Sequence, residues 1–407
     1  MRRPPQGCPA GGPDRPRGPH SSVFPREILA ANPAIAVILR HEYEEILLNL
    51  VTTLAADGDL AGVRGIVYRA GGEIRETAAA APIEPLDRLP EPAYDLFPAP
   101  WRSDPTVYWD GFCQHRPALQ MTSSRGCPYR CDFCLWNQVM YRNGKYRTYS
   151  ALRVVDAMER VVQRYGVREI YFDDDDFTVS ARHVTAICEE IRRRNLSVAW
   201  SCMGDAINLT ADLVRLMAAS GCVGIKVGVE TGSPRMLRRL GKPLNLANIQ
   251  HVVSWCAAAR VKLHATFALG LEGDDRQSVD ETLAFMETLE ADTIQVSFCT
   301  PFPGTRFFDH AARDGNIRTT DWERYDGKAS EVVAYPGLDF EQVDALRRRA
   351  LRRWLFGRLR SPFWLGKQLR YGLRTLRGLG PRYFFRQVIA LLTDEYLTAR
   401  GGGSPAP

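Results

Sequence analysis

The sequence contains no uninterrupted apolar run near the ~18 residues that a membrane-crossing helix needs, which excludes a helical integral membrane protein. No apolar core follows the Arg- and Pro-rich N-terminus, so a secretory leader is not expected. Without one, the ten cysteines do not read as a secreted disulfide framework. A cytoplasmic, reducing location is expected, where thiols stay free for metal or redox chemistry. Neither sign of charge dominates: 53 Lys and Arg face 47 Asp and Glu, a net of +6. Collagen, coiled coil and wholesale disorder are excluded by composition, since 45% of residues are hydrophobic and 25% charged. What is present is a globular chain of 407 residues, long enough for two or three domains with ample core.

Residues 1–22 are dominated by Pro, Gly and Arg and are expected to remain an unordered leader. Residues 23–80 read as a short helix, a buried strand near 34–39, and an amphipathic helix that stops at Gly58. VRGIVYRAGGEIRET follows as a hairpin turning at Gly71-Gly72. Residues 81–110 repeat proline, among them Pro82, Pro85, Pro90 and Pro92, and read as a stiff linker. From 111 to 330 strands and helices alternate. Strands are expected at 118–122, 169–172, 198–202, 223–229, 262–269 and 293–298. Helices are expected near 150–165, 181–194, 210–219, 244–259 and 277–289. That alternation implies right-handed βαβ crossovers and a parallel sheet. Six units are too few for a closed eight-unit barrel, so an open, partial (β/α)6 TIM-like barrel of the α/β class is expected. Chemistry then sits at the C-terminal strand ends.

Residues 331–400 read as a helical extension rich in arginine (Arg347, Arg348, Arg349, Arg352, Arg353) with interleaved aromatics such as Trp354, Phe356, Phe363 and Trp364. Such a segment suits a helical cap on the barrel, and a peripheral membrane contact is the sharper alternative. Nucleic acid is the least expected partner. Residues 401–407, GGGSPAP, read as an unordered tail.

Cys127, Cys131 and Cys134 follow the first strand of the alternation at C-x3-C-x2-C spacing. Thiolates are soft ligands that select iron–sulfur clusters, zinc or copper(I). Three of them on a four-iron cluster leave one iron open to a substrate or cofactor. A structural zinc site wants a fourth ligand, for which Cys113 or His115 are the nearest residues. Four consecutive carboxylates, Asp173 to Asp176, end the second strand and repel one another unless a cation or donors meet them. N-capping by Asp176 or Thr178 is the plainer use of that turn. Glu230 in GVETG ends the fourth strand, and Lys226 or an arginine of the next helix is its plain ion-pair partner. Gly270 in LGLEGD follows the fifth, and Pro301 in PFPGT follows the sixth. Cys188, Cys222 and Cys256 read as small core residues. Cys202, Cys299 and His264 lie on or at strand ends where a cavity would open.

The cysteine spacing, with the aromatic Phe133 before the third cysteine, resembles the radical S-adenosylmethionine (SAM) superfamily. CDFCLWNQ, GKYRTYS, REIYFDDDDFT, VAWSC and TIQVSFCTPFPGT extend the resemblance to its B12-domain-containing branch. That branch includes hopanoid-biosynthesis proteins, the anaerobic magnesium-protoporphyrin ester cyclase and cobalamin-dependent C-methyltransferases. The resemblance implies a [4Fe-4S] cluster on Cys127, Cys131 and Cys134, with SAM on its open iron. It implies that Asp174 and Asp175 bind the SAM ammonium and that Glu230 faces its ribose or methionine end. Contacts from Phe133, Gly232, Gly270 and Pro301 complete the implied cofactor site. An electron donor such as flavodoxin or ferredoxin is implied as well.

Residues 18–80 are similar to the second half of the branch's cobalamin-binding domain, a Rossmann-like unit. The branch's D-x-H-x-x-G loop does not occur in this sequence, so the expectation is a truncated cobalamin domain. The expected function is a radical SAM enzyme acting on a small, natural-product or lipid-like substrate, by C-methylation or by cyclisation or rearrangement. The rivals are a metal-stabilised binding protein and an inactive relic of a cobalamin-dependent methyltransferase.

Overall fold

The computed structural model describes residues 19–96, 112–325, 332–335 and 337–390. The expected tail, most of the expected leader and part of the expected linker lie outside the described residues. The chain divides into two compact units, one of residues 1–83 with 139–142 and one of 84–138 with 143–407.

The first unit holds the helices α1 (Pro19–Val23), α2 (Pro25–Ala31) and α3 (Glu44–Ala55) and the strands β1 (Val37–Leu39), β2 (Ile66–Ala70) and β3 (Glu73–Glu76). Helix α1 shortens the expected leader. Alternation along β2 sends Ile66 and Tyr68 to one face with Ile46 and Leu50, and Val67 to the other with Ile28 and Leu29. The hairpin turns where expected, with Gly71 and Gly72 both at positive φ (60° and 83°) as a primed turn requires. The Rossmann-like expectation fails on strand direction. β1, β2 and β3 pair antiparallel in that order, because α3 and the loop after it return the chain to the sheet end that β1 has just left.

In the second unit the expected linker is partly packed. Leu86, Leu89 and Tyr94 are buried, Asp87 accepts from the Ser150 amide (2.9 Å) and Arg153 donates to the Leu89 carbonyl (2.7 Å). Prolines that stiffen the chain here also let the apolar residues between them reach the core.

Six parallel strands follow in the order β11-β10-β9-β8-β7-β4. They are β4 (Ala118–Met121), β7 (Glu169–Phe172), β8 (Ala199–Gly204), β9 (Cys222–Glu230), β10 (Lys262–Leu269) and β11 (Thr293–Phe298). The two short strands β5 (Ser124–Arg125) and β6 (Arg147–Thr148) pair antiparallel beside them. Sequential neighbours in one parallel sheet make the open six-unit barrel that the alternation predicts. The helices start where a polar side chain can take an orphan amide. Ser150, Ser180, Thr210, Asn245 and Asp275 cap α4 (Ala151–Tyr165), α5 (Ala181–Arg193), α6 (Ala211–Ala219), α8 (Leu246–Ala258) and α9 (Arg276–Thr288). The stretch expected near 244–259 is preceded by a separate helix, α7 (Pro234–Leu240), closed by Gly241 at φ 65°. Helix α10 (Arg306–Arg313) follows the sixth strand, and Thr305 of the PFPGT turn caps it.

The C-terminal extension forms α11 (Phe340–Leu359) and α12 (Pro362–Ala390), the latter interrupted at Gly380. Two tryptophans seat it on the barrel. Trp354 donates to the Leu289 carbonyl (2.9 Å) and Trp364 to the Asp292 carbonyl (3.0 Å), with their rings edge to face at 6.3 Å. The Asp292 carboxylate accepts from Lys367 (2.9 and 3.2 Å) and from the Leu263 amide (2.9 Å). One buried ion pair therefore ties α12 to β10. Lys367→Met is expected to leave that carboxylate buried without its cation and to cost about 3 kcal/mol, read as a lowered urea midpoint. Lys367→Met combined with Asp292→Asn is expected to recover part of the loss.

Candidate active site

The loop carrying Cys127, Cys131 and Cys134 leaves β4 through Ser123, Ser124 and Gly126. Gly126 sits at φ 85°, and a Cβ there would lie 3.0 Å from the Lys145 carbonyl oxygen. Only glycine suits that conformation at that approach. The loop is then held by one side chain. The Gln138 amide donates to the carbonyls of Cys131 (3.1 Å), Asp132 (2.9 Å) and Cys134 (3.1 Å), and its oxygen accepts from the Arg306 amide (2.9 Å). Asn137 donates to the Tyr129 carbonyl (2.8 Å), and the Phe307 amide to the Asp132 carbonyl (3.1 Å). Arg306 pairs with Asp132 at 2.6 Å. The loop that carries the three cysteines thus has backbone carbonyls satisfied by protein.

Each thiol is held well above its ordinary range. Burial pushes Cys127 up to about 12, and the Asp176 carboxylate adds to it. Burial also pushes Cys131 up to about 12, where Lys242 opposes and Glu230 and Asp205 reinforce the shift. Cys134 rises through burial, with Asp175 and Glu230 adding to it. Each cysteine feels the field of at least one other. Ligation replaces the proton, so a metal centre of high charge is what makes thiolates affordable here.

The acidic turn after β7 divides its labour. Asp174 is buried and accepts from the Ser123 amide (2.9 Å), the Ser123 hydroxyl (3.2 Å) and the Ser124 hydroxyl (2.6 Å). It positions the start of the cysteine loop. Asp175 accepts from the Gly126 amide at 2.8 Å. Asp176 accepts from the Thr178 amide (2.9 Å) and hydroxyl (2.8 Å), a tight turn of the capping kind. The second oxygens of Asp174 and Asp176 are buried without a hydrogen-bond donor. Burial raises Asp174 to about 7, and burial with Asp205 raises Asp176 to about 6.

Glu230 adopts φ 65°, a left-handed conformation rare for a residue with a side chain, at a register shift between β9 and β10. Its carboxylate meets Lys242, not Lys226. Lys242 donates to Glu230 (3.2 Å), to the Gly228 carbonyl (3.1 Å) and to Asp205 (2.6 Å), and is itself buried. Burial alone would lower the lysine, but Glu230 and Asp205 outweigh it and hold the ammonium charged. A Cβ on Gly228 would collide with the Glu230 carboxylate. Asp205, Lys242, Gln138 and Tyr129 escaped the sequence reading. Only their position after strand ends marks them.

The remaining expected residues are placed differently. Phe133 packs on Met236, Leu240, Leu271, Cys299 and Phe307. Gly270, at φ 74°, admits the Tyr335 ring, whose hydroxyl donates to the Cys299 carbonyl (2.8 Å). Gly232 admits α9, since a Cβ there would lie 2.6 Å from that of Phe285. Pro301 is buried in the turn that leads to α10. Cys202 is a core residue, and His264 bonds Thr293 at 2.8 Å. Cys113 and His115 lie before β4, at the opposite end of the strand from the cysteine loop. Among the described residues no three His, Cys, Asp or Glu side chains converge on a single-ion site.

Residues 121–286 match the radical SAM superfamily. An uncharacterized methyltransferase of Pyrococcus horikoshii is 28% identical over 336 residues, covering 82% of this chain and 70% of that protein. The anaerobic magnesium-protoporphyrin IX monomethyl ester cyclase of Cereibacter sphaeroides is 27% identical over 76% of this chain, which spans about half (49%) of that enzyme's length. A solved structure of the radical SAM methyltransferase TsrM from Kitasatospora setae, with cobalamin and a [4Fe-4S] cluster bound, superposes over 75% of this chain and 58% of its own, with TM-score 0.58 at 20% identity.

His183, whose ring nitrogen meets the Ser123 hydroxyl at 3.2 Å, closes the Asp174 network. Burial pushes it down from 6.5 to about 4. The folded state therefore stays neutral where the unfolded state binds a proton, so its contribution is complete above pH 6.5 and is lost as pH falls towards 4. Between pH 7 and pH 4 the unfolding free energy of the wild type is expected to drop about 3 kcal/mol more than that of His183→Gln, measured in urea.

Proposed function

We propose that this chain, whose residues 121–286 match the radical SAM superfamily, reductively cleaves SAM and uses the resulting radical on a small-molecule substrate. The observation that carries the reading is the set of three cysteines on one clamped loop, whose thiols feel the carboxylates of Asp175, Asp176, Asp205 and Glu230, with the cation Lys242 beside them. That excess of carboxylate suits a ligand carrying a sulfonium and an ammonium. The donor set, three soft thiolates on separate corners, fits a four-iron cluster. When bound and reduced, such a cluster supplies one electron to the sulfonium, breaking the S–C5′ bond to give methionine and a 5′-deoxyadenosyl radical.

The chain's own residues do the rest. Gln138 and Asn137 hold the loop that carries the three cysteines by its carbonyls. Asp175 and the donor-free oxygen of Asp176 offer acceptors to the ammonium of SAM. Lys242 keeps Asp205 and Glu230 ionised and aimed, with Glu230 set for the ribose or methionine end. Phe133, Tyr335 and Leu271 form an apolar wall beside Cys299 that keeps water from the radical. The electron comes from a donor such as flavodoxin or ferredoxin. The exposed Phe356, Phe363, Leu369 and Phe385, beside the exposed Arg349, Arg352, Arg370 and Arg377, suit a lipid-like substrate delivered at a membrane surface. No helix among the described residues is long and apolar enough to cross a membrane.

Cobalamin does not fit the described residues. The three antiparallel strands of residues 19–83 offer no parallel-sheet cradle, and no D-x-H-x-x-G loop occurs in the sequence. No step is routed through it.

Anaerobic incubation with SAM and dithionite is expected to release 5′-deoxyadenosine and methionine. Cys127→Ala is expected to lower that rate at least ~100-fold together with iron and sulfide content, and an unchanged rate would refute the cluster assignment. Lys242→Met is expected to raise the KM for SAM at least ~10-fold with iron content intact. Deoxyadenosine alone marks hydrogen abstraction for cyclisation or rearrangement, whereas deoxyadenosine together with S-adenosylhomocysteine marks methyl transfer.

A further inference from the structure

A second cavity lies at the other end of the barrel. It has a volume of about 590 Å³ and opens between the starts of β10 and β11 and helix α12. Lys262 and Thr293 are the first residues of their strands, while the cysteine loop follows the last residues of β4. The eight residues of β10 set the two ends about 23 Å apart along the strand. A molecule held here does not touch the thiols.

Two features give the cavity its chemistry. One wall is apolar and elongated. Leu365, Leu369 and Leu373 recur every fourth residue on one face of α12, with Leu376 beyond them, and all four are exposed. That strip runs about 16 Å along the helix, the length of an alkyl chain rather than of a compact ring. Phe384, folded back past Gly380, and Trp364 close its sides.

The inner wall is cationic. Lys262 reaches the Phe112 carbonyl at 3.3 Å and lies over the rings of Phe112 (4.7 Å) and Tyr371 (5.5 Å). Arg374 donates only to the neutral amide oxygen of Gln114 at 3.1 Å. Neither has a carboxylate within ion-pair distance among the described residues. The nearby acids are engaged elsewhere: Glu169 accepts from the amides of Gln114 (2.6 Å) and His115 (2.7 Å) and from Ser201 (2.7 Å), and Asp292 belongs to Lys367. Lys262 is partly buried and Arg374 exposed at the head of the apolar strip, and both are placed to meet an anion.

We propose that this cavity binds an amphiphile with one anionic head and a long alkyl chain, the head on Lys262 and Arg374 and the chain along Leu365, Leu369 and Leu373. The site stands independently of the cysteine loop, and covering the exposed leucines supplies the hydrophobic part of the binding.

The test is a fluorescence titration of the full-length, anaerobically reconstituted protein with cis-parinarate, whose emission rises in an apolar site. A saturable increase with one site per chain is expected. Arg374→Gln, at an exposed position that leaves the fold intact, is expected to weaken binding at least ~10-fold, and Lys262→Met likewise. Leu373→Asp, also exposed, is expected to abolish the signal. Displacement by palmitate assigns a carboxylate head, and stronger displacement by lysophosphatidate assigns a phosphate head. Cys127→Ala is expected to bind as the wild type does, so this result is read separately from SAM cleavage. The absence of a saturable signal, unchanged affinity in both Arg374→Gln and Lys262→Met, or equal displacement by hexadecanol would overturn the proposal.

Discussion

The structure turns on three thiols on one loop, in a place where burial and carboxylates both resist their ionisation. Burial pushes Cys127 and Cys131 up to about 12, and their neighbours Asp176 and Glu230 push the same way. Only a strongly positive centre reverses that balance. The rest of the site follows from the same constraint. Gln138 satisfies three loop carbonyls so that the backbone need not turn inward. Asp174 spends its carboxylate on Ser123 and Ser124, which fixes where the loop departs from β4. Lys242 pairs with both Asp205 and Glu230 and fixes them in place.

The parallel sheet gives its two ends different electrical characters. Strand termini at the cysteine end carry Asp174, Asp175, Asp176, Asp205 and Glu230, and so attract a cationic ligand. The beginning of β10 at the other end carries Lys262, joined by Lys367 and Arg374 from α12. Glu169 and Asp292 are there as well, but each is consumed by donors of the protein. Because all six strands run the same way, the two ends of each strand open on different sets of charges.

The arginine-rich extension resolves in two directions at once. Trp354 and Trp364 are buried and bonded to backbone carbonyls near the start of β11, as a cap on the barrel requires. Phe356, Phe363 and Leu369 point outward between arginines. An aromatic next to an arginine reads alike in both situations. Which of them meets the barrel depends on the angle at which each helix lands.

Much of the second unit was legible because its signals are local. Alternating apolar runs and helical stretches placed all six parallel strands within two residues at either end, and the cysteine spacing marked the loop. The pairing of Glu230 with Lys242 instead of Lys226 was not legible, because it depends on a positive φ at the end of β9. Nor were the use of Gly232 and Gly270 to admit Phe285 and Tyr335, or the antiparallel run of β1 and β2. By itself the sequence determined the order of elements, the register of the barrel and the three sulfurs on one loop. Tertiary structure alone decided which charges face one another and where α12 encloses a cavity, because those contacts join residues dozens to hundreds of positions apart and no local pattern encodes their direction.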